Sequence, residues 1–198
     1  MNNLLIDLVV VHESSNSFEC LENDLLFLGY SFNQKSIKYS AMGRPYFIDI
    51  PVYFSISHSN NLTAIAYSKN NISIDIEYHK DRNFIGFSRK YFSPTEQRVF
   101  NNSPNKSLFY AIWCAKEAIL KYTEIGIKLP ALNKLDTFNV PSELCHEGSF
   151  YKTPDRLALY SYQNQFTICV CGTSEQTYFV NSMHESIYVV DKTRFVYI

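Results

Sequence analysis

The sequence has no basic excess. Its 198 residues sum to a formal net charge of −1, which argues against a protein that holds polyanions by bulk charge. Residues 1–34 contain neither Lys nor Arg but do contain Asp7, Glu13, Glu19, Glu22 and Asp24. The remaining residues therefore net +4, a mildly basic body able to meet an acidic ligand or partner. Long apolar runs are also missing: Leu4 to Val11 is interrupted by Asp7, has no basic residue before it and is far shorter than the roughly 20 residues that cross a bilayer. A cytoplasmic protein with no membrane association and no nucleic-acid partner is expected. The five cysteines (Cys20, Cys114, Cys145, Cys169, Cys171) are odd in number and form no Cys-x-x-Cys pair, which fits free thiols in a reducing compartment. No internal repeat is visible.

Aromatic and aliphatic residues are plentiful. With 46% hydrophobic residues, 15 Tyr and 15 Phe, the chain reads as a well-packed globular protein, long enough for one ordinary domain or two small similar ones. Cys169 and Cys171 stand two apart in an apolar run, so both point to one face of a strand, as core residues do.

Patterning predicts a strand over residues 4–11 and a modest helix over 19–28, with Leu21, Leu25 and Leu28 on one side. From Tyr53 three short strands, VYFSISH, LTAIAYS and ISIDIE, are separated by turn-rich pieces and predict an antiparallel meander. Ser93-Pro94-Thr95-Glu96 is a strong helix start, with Ser93 as cap, Pro94 in the first turn and Glu96 closing a capping box. That helix should end near Phe100, and a longer one from about Ser107 to Thr123 carries Leu108, Ile112, Ala115 and Ile119 at helical spacing, with Gly126 placed to end it. Strands are expected again at Leu157 to Tyr162 and Phe166 to Cys171, joined by Gln163-Asn164-Gln165. Strands, then helices, then strands indicate an α+β fold.

Two constellations carry chemistry. Strand alternation in Ile72-Ser73-Ile74-Asp75-Ile76-Glu77 puts Asp75 and Glu77 on one face, about 7 Å apart, where they can share one hard cation. Taken alone, the same pattern suits a solvated strand edge. On the long helix, Trp113, Glu117 and Lys121 recur every four residues on one face; alone, Glu117 and Lys121 suit a surface ion pair. Together, a helix carboxylate set against a strand carrying two makes a magnesium site that also holds phosphates, with Lys121 as a point charge beside it.

These two segments resemble the signatures of the Sfp-type 4'-phosphopantetheinyl transferases: a hydrophobic-Gly-hydrophobic-Asp-hydrophobic-Glu strand and a Trp-x-x-Lys-Glu-Ala/Ser-x-x-x-Lys helix. Three more stretches are similar to the family pattern: Gly43-Arg44-Pro45, Phe54-Ser55-Ile56-Ser57-His58-Ser59 and Arg89-Lys90-Tyr91-Phe92-Ser93-Pro94-Thr95-Glu96. All five occur in the family order over roughly residues 36–135, which makes the resemblance specific.

The resemblance implies a pseudo-dimer of two similar α/β lobes with antiparallel sheets. An N-terminal lobe would span residues 1–70, trimmed for the pattern, and a C-terminal lobe 71–198 would carry the motifs. It implies transfer of the phosphopantetheine arm of coenzyme A to a serine of an apo acyl or peptidyl carrier protein, by a monomer, with release of 3',5'-ADP. Asp75, Glu77 and Glu117 would hold Mg2+, Lys121 would neutralise phosphate, and Glu117 would act as ligand, general base or both. Ser57 and His58 would hold the 3'-phosphate end of the nucleotide, Arg44 would line the adenine or phosphate region, and Lys116, about 100° around the helix from Glu117, would face nucleotide phosphates or solvent. Ser73 stands where the family has glycine, and the family's N-terminal cations for the 3'-phosphate are absent, Lys35 and Lys38 being the nearest. The alternatives are a non-catalytic relative that binds carrier protein or nucleotide, and, more distantly, a magnesium-dependent phosphohydrolase.

Overall fold

The structure is a computed structural model that describes residues 7–124, 129–137, 157–172, 177–181 and 184–190. The strand β1 (Asp7–His12) is followed by helix α1 (Ser17–Phe27), a short hairpin of β2 (Ile37–Tyr39) and β3 (Pro45–Phe47), then β4 (Tyr53–Ser59), β5 (Leu62–Ser68) and β6 (Ser73–Tyr78). Helices α2 (Phe84–Tyr91), α3 (Pro94–Asn102) and α4 (Lys106–Thr123) come next, then a 3-10 segment Leu129–Lys134 and strands β7 (Leu157–Tyr162), β8 (Phe166–Cys171), β9 (Thr177–Asn181) and β10 (His184–Val190). Leu4 to Ile6, Gly126 and Cys145 lie outside the described residues.

The strands form a five-stranded sheet in the order β10-β9-β1-β5-β4, a three-stranded sheet β6-β8-β7 and the small β2-β3 ribbon. The mixed α/β architecture is as expected, and its pairings are mostly antiparallel, with β1 and β9 parallel. The predicted meander is corrected at its third strand. β4 and β5 form a hairpin through Asn60, whose φ of 56° suits the tight turn, but β6 leaves them and pairs antiparallel with β8. Period-2 patterning specifies a strand and its faces; it does not name the neighbour. Residue 70 falls in the turn where the chain passes from one sheet to the other, and β9 and β10 return to the first sheet.

The edge of β6 nearest β4 is closed by side chains. Ser55, Ser57 and Ser59 of β4 accept hydrogen bonds from the backbone amides of Ile74, Ile76 and Tyr78, at 3.1, 3.3 and 2.9 Å. A hydroxyl at every second residue thus satisfies amides that a paired strand would otherwise take, and the two sheets meet along this seam. Val9, Val11, Leu62, Ala64 and Ala66 pack there against Ile72, Ile74, Ile76, Phe166, Ile168 and Val170, the alanines leaving room for close approach.

On the opposite face of the three-stranded sheet lies α4, whose Phe109, Ile112, Cys114, Ala115, Ala118 and Ile119 are buried together with Cys169 and Cys171. Asn105 caps its start, accepting from the Leu108 amide at 2.8 Å, and it ends at Glu124 in the left-handed region with φ 53°. The expected capping box opens α3, whereas α2, capped by Asn83, was not legible as a helix. α1 covers the five-stranded sheet and is fastened by Asp24, which accepts from the Tyr67 hydroxyl at 2.7 Å and pairs with His12 Nε2 at 3.0 Å. No helix among the described residues is long and apolar enough to cross a membrane.

Candidate active site

β6 and α4 bring the two constellations together. Ile74 and Ile76 fill the core between the sheets, so alternation turns Asp75 and Glu77 toward the face that α4 covers. Ser73 fixes the approach of strand to helix: its hydroxyl donates to the Ala118 carbonyl at 2.6 Å. Cys114 lies one turn earlier, its thiol directed at the carbonyl oxygens of Asp75 (3.2 Å) and Thr167 (3.4 Å). Trp113 is a core residue stacked on Phe109, as expected, and its indole N–H also donates to Glu77 Oε1 at 3.1 Å.

Asp75 is the centre of the cluster. It is 5% exposed. Its Oδ1 accepts from Lys121 Nζ at 2.8 Å and from the Ser57 hydroxyl at 2.9 Å, while its Oδ2 is buried and has no hydrogen-bond partner among the described residues. Lys121 Nζ also reaches Ser57 Oγ at 2.9 Å and the Ile74 carbonyl at 3.2 Å. Burial, and then the charge of Asp75, push the Glu117 carboxyl up to about 7 against the opposing pull of Lys121. Glu77 is raised by the same two causes in the same order, tempered by Trp113, Arg82 and Lys121. The three acids therefore feel one another across the strand–helix gap.

Among the described residues, no three or more His, Cys, Asp or Glu side chains form a ready-made metal cluster. The donor set nevertheless suits a hard divalent cation. A buried carboxylate oxygen without a donor is costly unless something positive completes it. Magnesium bound to phosphates typically draws only one or two carboxylates from the protein and takes its other oxygens from water and phosphate.

The remaining predicted residues separate. His58, exposed at the end of β4, is open to a ligand. Lys116 is corrected: it is fully buried, paired with Glu96 Oε2 at 2.6 Å and bonded to the carbonyls of Leu132 (2.9 Å) and Leu135, so it faces neither nucleotide nor solvent. Its helical direction was right, but the 3-10 segment and α3 cover that side. Arg44 is half-buried and held by protein groups. Its guanidinium is engaged by Asn71 Oδ1 (2.6 Å), the Ile72 carbonyl (2.6 Å) and Glu124 (3.5 Å), tying the β2-β3 ribbon to the start of β6 and the end of α4. Sequence reasoning missed Arg82, which lies 5.1 to 5.8 Å over the rings of Phe87, Phe109 and Tyr110 and favours the charged form of Glu77. A cavity of about 290 Å³ beside Arg82, lined by Asn83, Phe84, Ile85, Phe100, Pro104 and Asn105, contains none of the three acids.

The raised Glu117 pKa makes a testable statement about the metal-free protein. A carboxyl whose folded pKa lies above its unfolded value near 4.5 favours folding below that value, and this contribution is lost as pH rises toward about 7. In chelator, Glu117→Gln should therefore melt above the unaltered protein at pH 8, and the difference should shrink as pH falls to 5. Thermal melts across that range check it; a difference independent of pH would contradict the assignment.

A family model of the 4'-phosphopantetheinyl transferase superfamily matches residues 71–171, which hold β6, α4 and all three acids. The chain is 35% identical over 127 residues to a Haemophilus influenzae protein named for that activity, covering 60% of this chain and 53% of the relative. It is 28% identical over 153 residues to the 4'-phosphopantetheinyl transferase ffp of Bacillus subtilis, covering 72% and 66%. With 4'-phosphopantetheinyl transferase Sfp of Bacillus subtilis strain 168 the identity is 31% over 117 residues, covering 56% and 50%. The matched stretch thus spans between half and two thirds of these relatives.

Proposed function

Because the chain belongs to the 4'-phosphopantetheinyl transferase superfamily, we propose that it moves the phosphopantetheine arm of coenzyme A onto a serine of an apo acyl or peptidyl carrier protein, releasing 3',5'-ADP in a magnesium-dependent reaction. The observation that carries this reading is the acidic cluster itself, with Asp75 Oδ2 buried and unpartnered and Glu117 pushed up to about 7.

Asp75, Glu77 and Glu117 would hold magnesium, which when bound supplies charge compensation and polarisation at the diphosphate. Lys121, whose side chain is 29% exposed beside Asp75, neutralises phosphate charge. The carrier serine oxygen forms a bond to the β-phosphorus as the bond to the departing 3',5'-ADP breaks, and its proton goes to Glu117 directly or through a water. A carboxyl titrating near neutrality suits general-base work, and its share in holding a cation weakens it as a base, so the two duties are divided on one side chain. His58 would hold the 3'-phosphate end, with Lys35 and Lys38 the nearest cations toward the N-terminus in the sequence. Most of the rate enhancement comes from positioning and charge, as in other phosphoryl transfers. The buried free thiols of Cys20, Cys114, Cys169 and Cys171 suit a cytoplasmic setting, and a monomer is the working state.

Incubation with coenzyme A, magnesium and a panel of apo carrier proteins should add the mass of one phosphopantetheine to at least one of them, and EDTA should prevent the addition. Mass spectrometry of the carrier reads the result. Carrier binding with no mass gain across the panel would favour the non-catalytic relative, and phosphate release from small esters would favour the hydrolase.

A further inference from the structure

Ser57 is where the seam between the sheets meets the acidic cluster. A hydroxyl has one proton to donate and two lone pairs to accept with. Ser57 uses all three, donating to Asp75 Oδ1 and accepting from Lys121 Nζ and from the Ile76 amide. The residue is 6% exposed. No capacity is left for a phosphate oxygen, the role that the family resemblance implied for it.

The arrangement has a direct effect on Asp75. The terminal torsion of an aspartate is broad and roughly two-fold, so either oxygen could face the helix side if nothing held it. Two donors on Oδ1, one of them anchored by a backbone amide of the same strand, remove that freedom and leave Oδ2 as the oxygen without a donor. We propose that Ser57 is a positioning residue that locks the Asp75 carboxylate with Oδ2 presented to a divalent cation, and not a nucleotide contact. The inference rests on the magnesium reading of the acidic cluster.

The seam supplies its own control. Ser55 makes the same kind of bond, to the Ile74 amide at 3.1 Å, without bonding Asp75. Removing Ser55 and removing Ser57 should therefore weaken the seam alike while differing at the cluster.

The test uses the full chain without coenzyme A and measures Mn2+ binding by electron paramagnetic resonance, 3',5'-ADP binding in EDTA, and melting temperature. Ser57→Ala should weaken Mn2+ binding about 10- to 100-fold, the range for groups that orient a ligand, and leave 3',5'-ADP binding within about twofold. Ser55→Ala should lower the melting temperature comparably and leave Mn2+ affinity unchanged, while Ser57→Thr, which keeps the hydroxyl, should restore most of it. Where the alanine variant does not fold, Ser57→Cys, similar in size but a weak donor, carries the same expected loss. Unchanged Mn2+ binding in the Ser57 variants, or a loss of 3',5'-ADP binding in EDTA, would overturn the inference. Failure of the unaltered protein to bind Mn2+ would overturn the magnesium reading, and the inference with it.

Discussion

Asp75→Asn is expected to lower phosphopantetheine transfer by about 10³-fold or more while leaving the fold intact, since charge stabilisation by a bound ion is worth several kcal/mol at the transition state. Asparagine keeps the size of the side chain and an oxygen able to accept from Ser57, so packing against α4 and the seam survives. What it removes is the negative charge that Lys121 faces at 2.8 Å and the anionic oxygen at the unpartnered position. Glu117→Gln should also lose 10²-fold or more, and the double variant should be little worse than Asp75→Asn alone, because groups that act through one ion are not additive. The measurements are carrier mass gain over time and a thermal melt of each variant. Asp75→Asn with transfer within about tenfold of the unaltered protein would remove the acidic cluster from the mechanism.

The acids themselves were legible because they obey two periods. A repeat of two on β6 and of four on α4 set Asp75, Glu77 and Glu117 on faces that can only be buried together if strand and helix pack, and the isoleucines and Trp113 make them pack. The helix caps at Ser93 and the turn at Gln163 and Asn164, both with positive φ, were legible for the same reason: their physics is local. Partner choice was not. That β6 joins β8, and that β9 runs parallel to β1, depends on contacts between residues about 90 or more positions apart that no short window contains. The serine ladder was in plain sight as Ser55-x-Ser57-x-Ser59, but of the three only Ser57 was given a role, as the nucleotide contact that the family resemblance implies. A hydroxyl turned to a neighbouring backbone has the same spacing as one turned to water. Lys116 fails for a related reason, since a charged residue in a motif is ordinarily read as a ligand contact, and here it is absorbed by protein acceptors.

Lys116 therefore leads to the second large expectation, one of stability. Its ammonium and the Glu96 carboxylate are both fully buried. Glu96 in addition accepts from the Ser93 amide (2.7 Å) and from the Thr137 amide and hydroxyl (both 2.8 Å), so one ion pair joins the start of α3, the middle of α4 and the segment after the 3-10 turn. Burial pulls the Lys116 pKa down, and the pair with Glu96 opposes that pull. Removing one partner leaves the other charged in a dry site, and Lys116→Met should cost about 3 to 5 kcal/mol, a large part of the 5 to 15 kcal/mol that typically separates folded from unfolded protein. At about 2 to 4 °C per kcal/mol for a chain of this size, the melting temperature should fall by roughly 10 °C. Adding Glu96→Gln removes the stranded charge while a side-chain oxygen remains for the capping box, so the double variant should recover most of the loss, and a double-mutant cycle measures the coupling. The same pair of variants separates the two roles of Lys116. If it serves packing alone, the recovered double variant has an unchanged KM for coenzyme A; a raised KM despite recovered stability would return Lys116 to the nucleotide site.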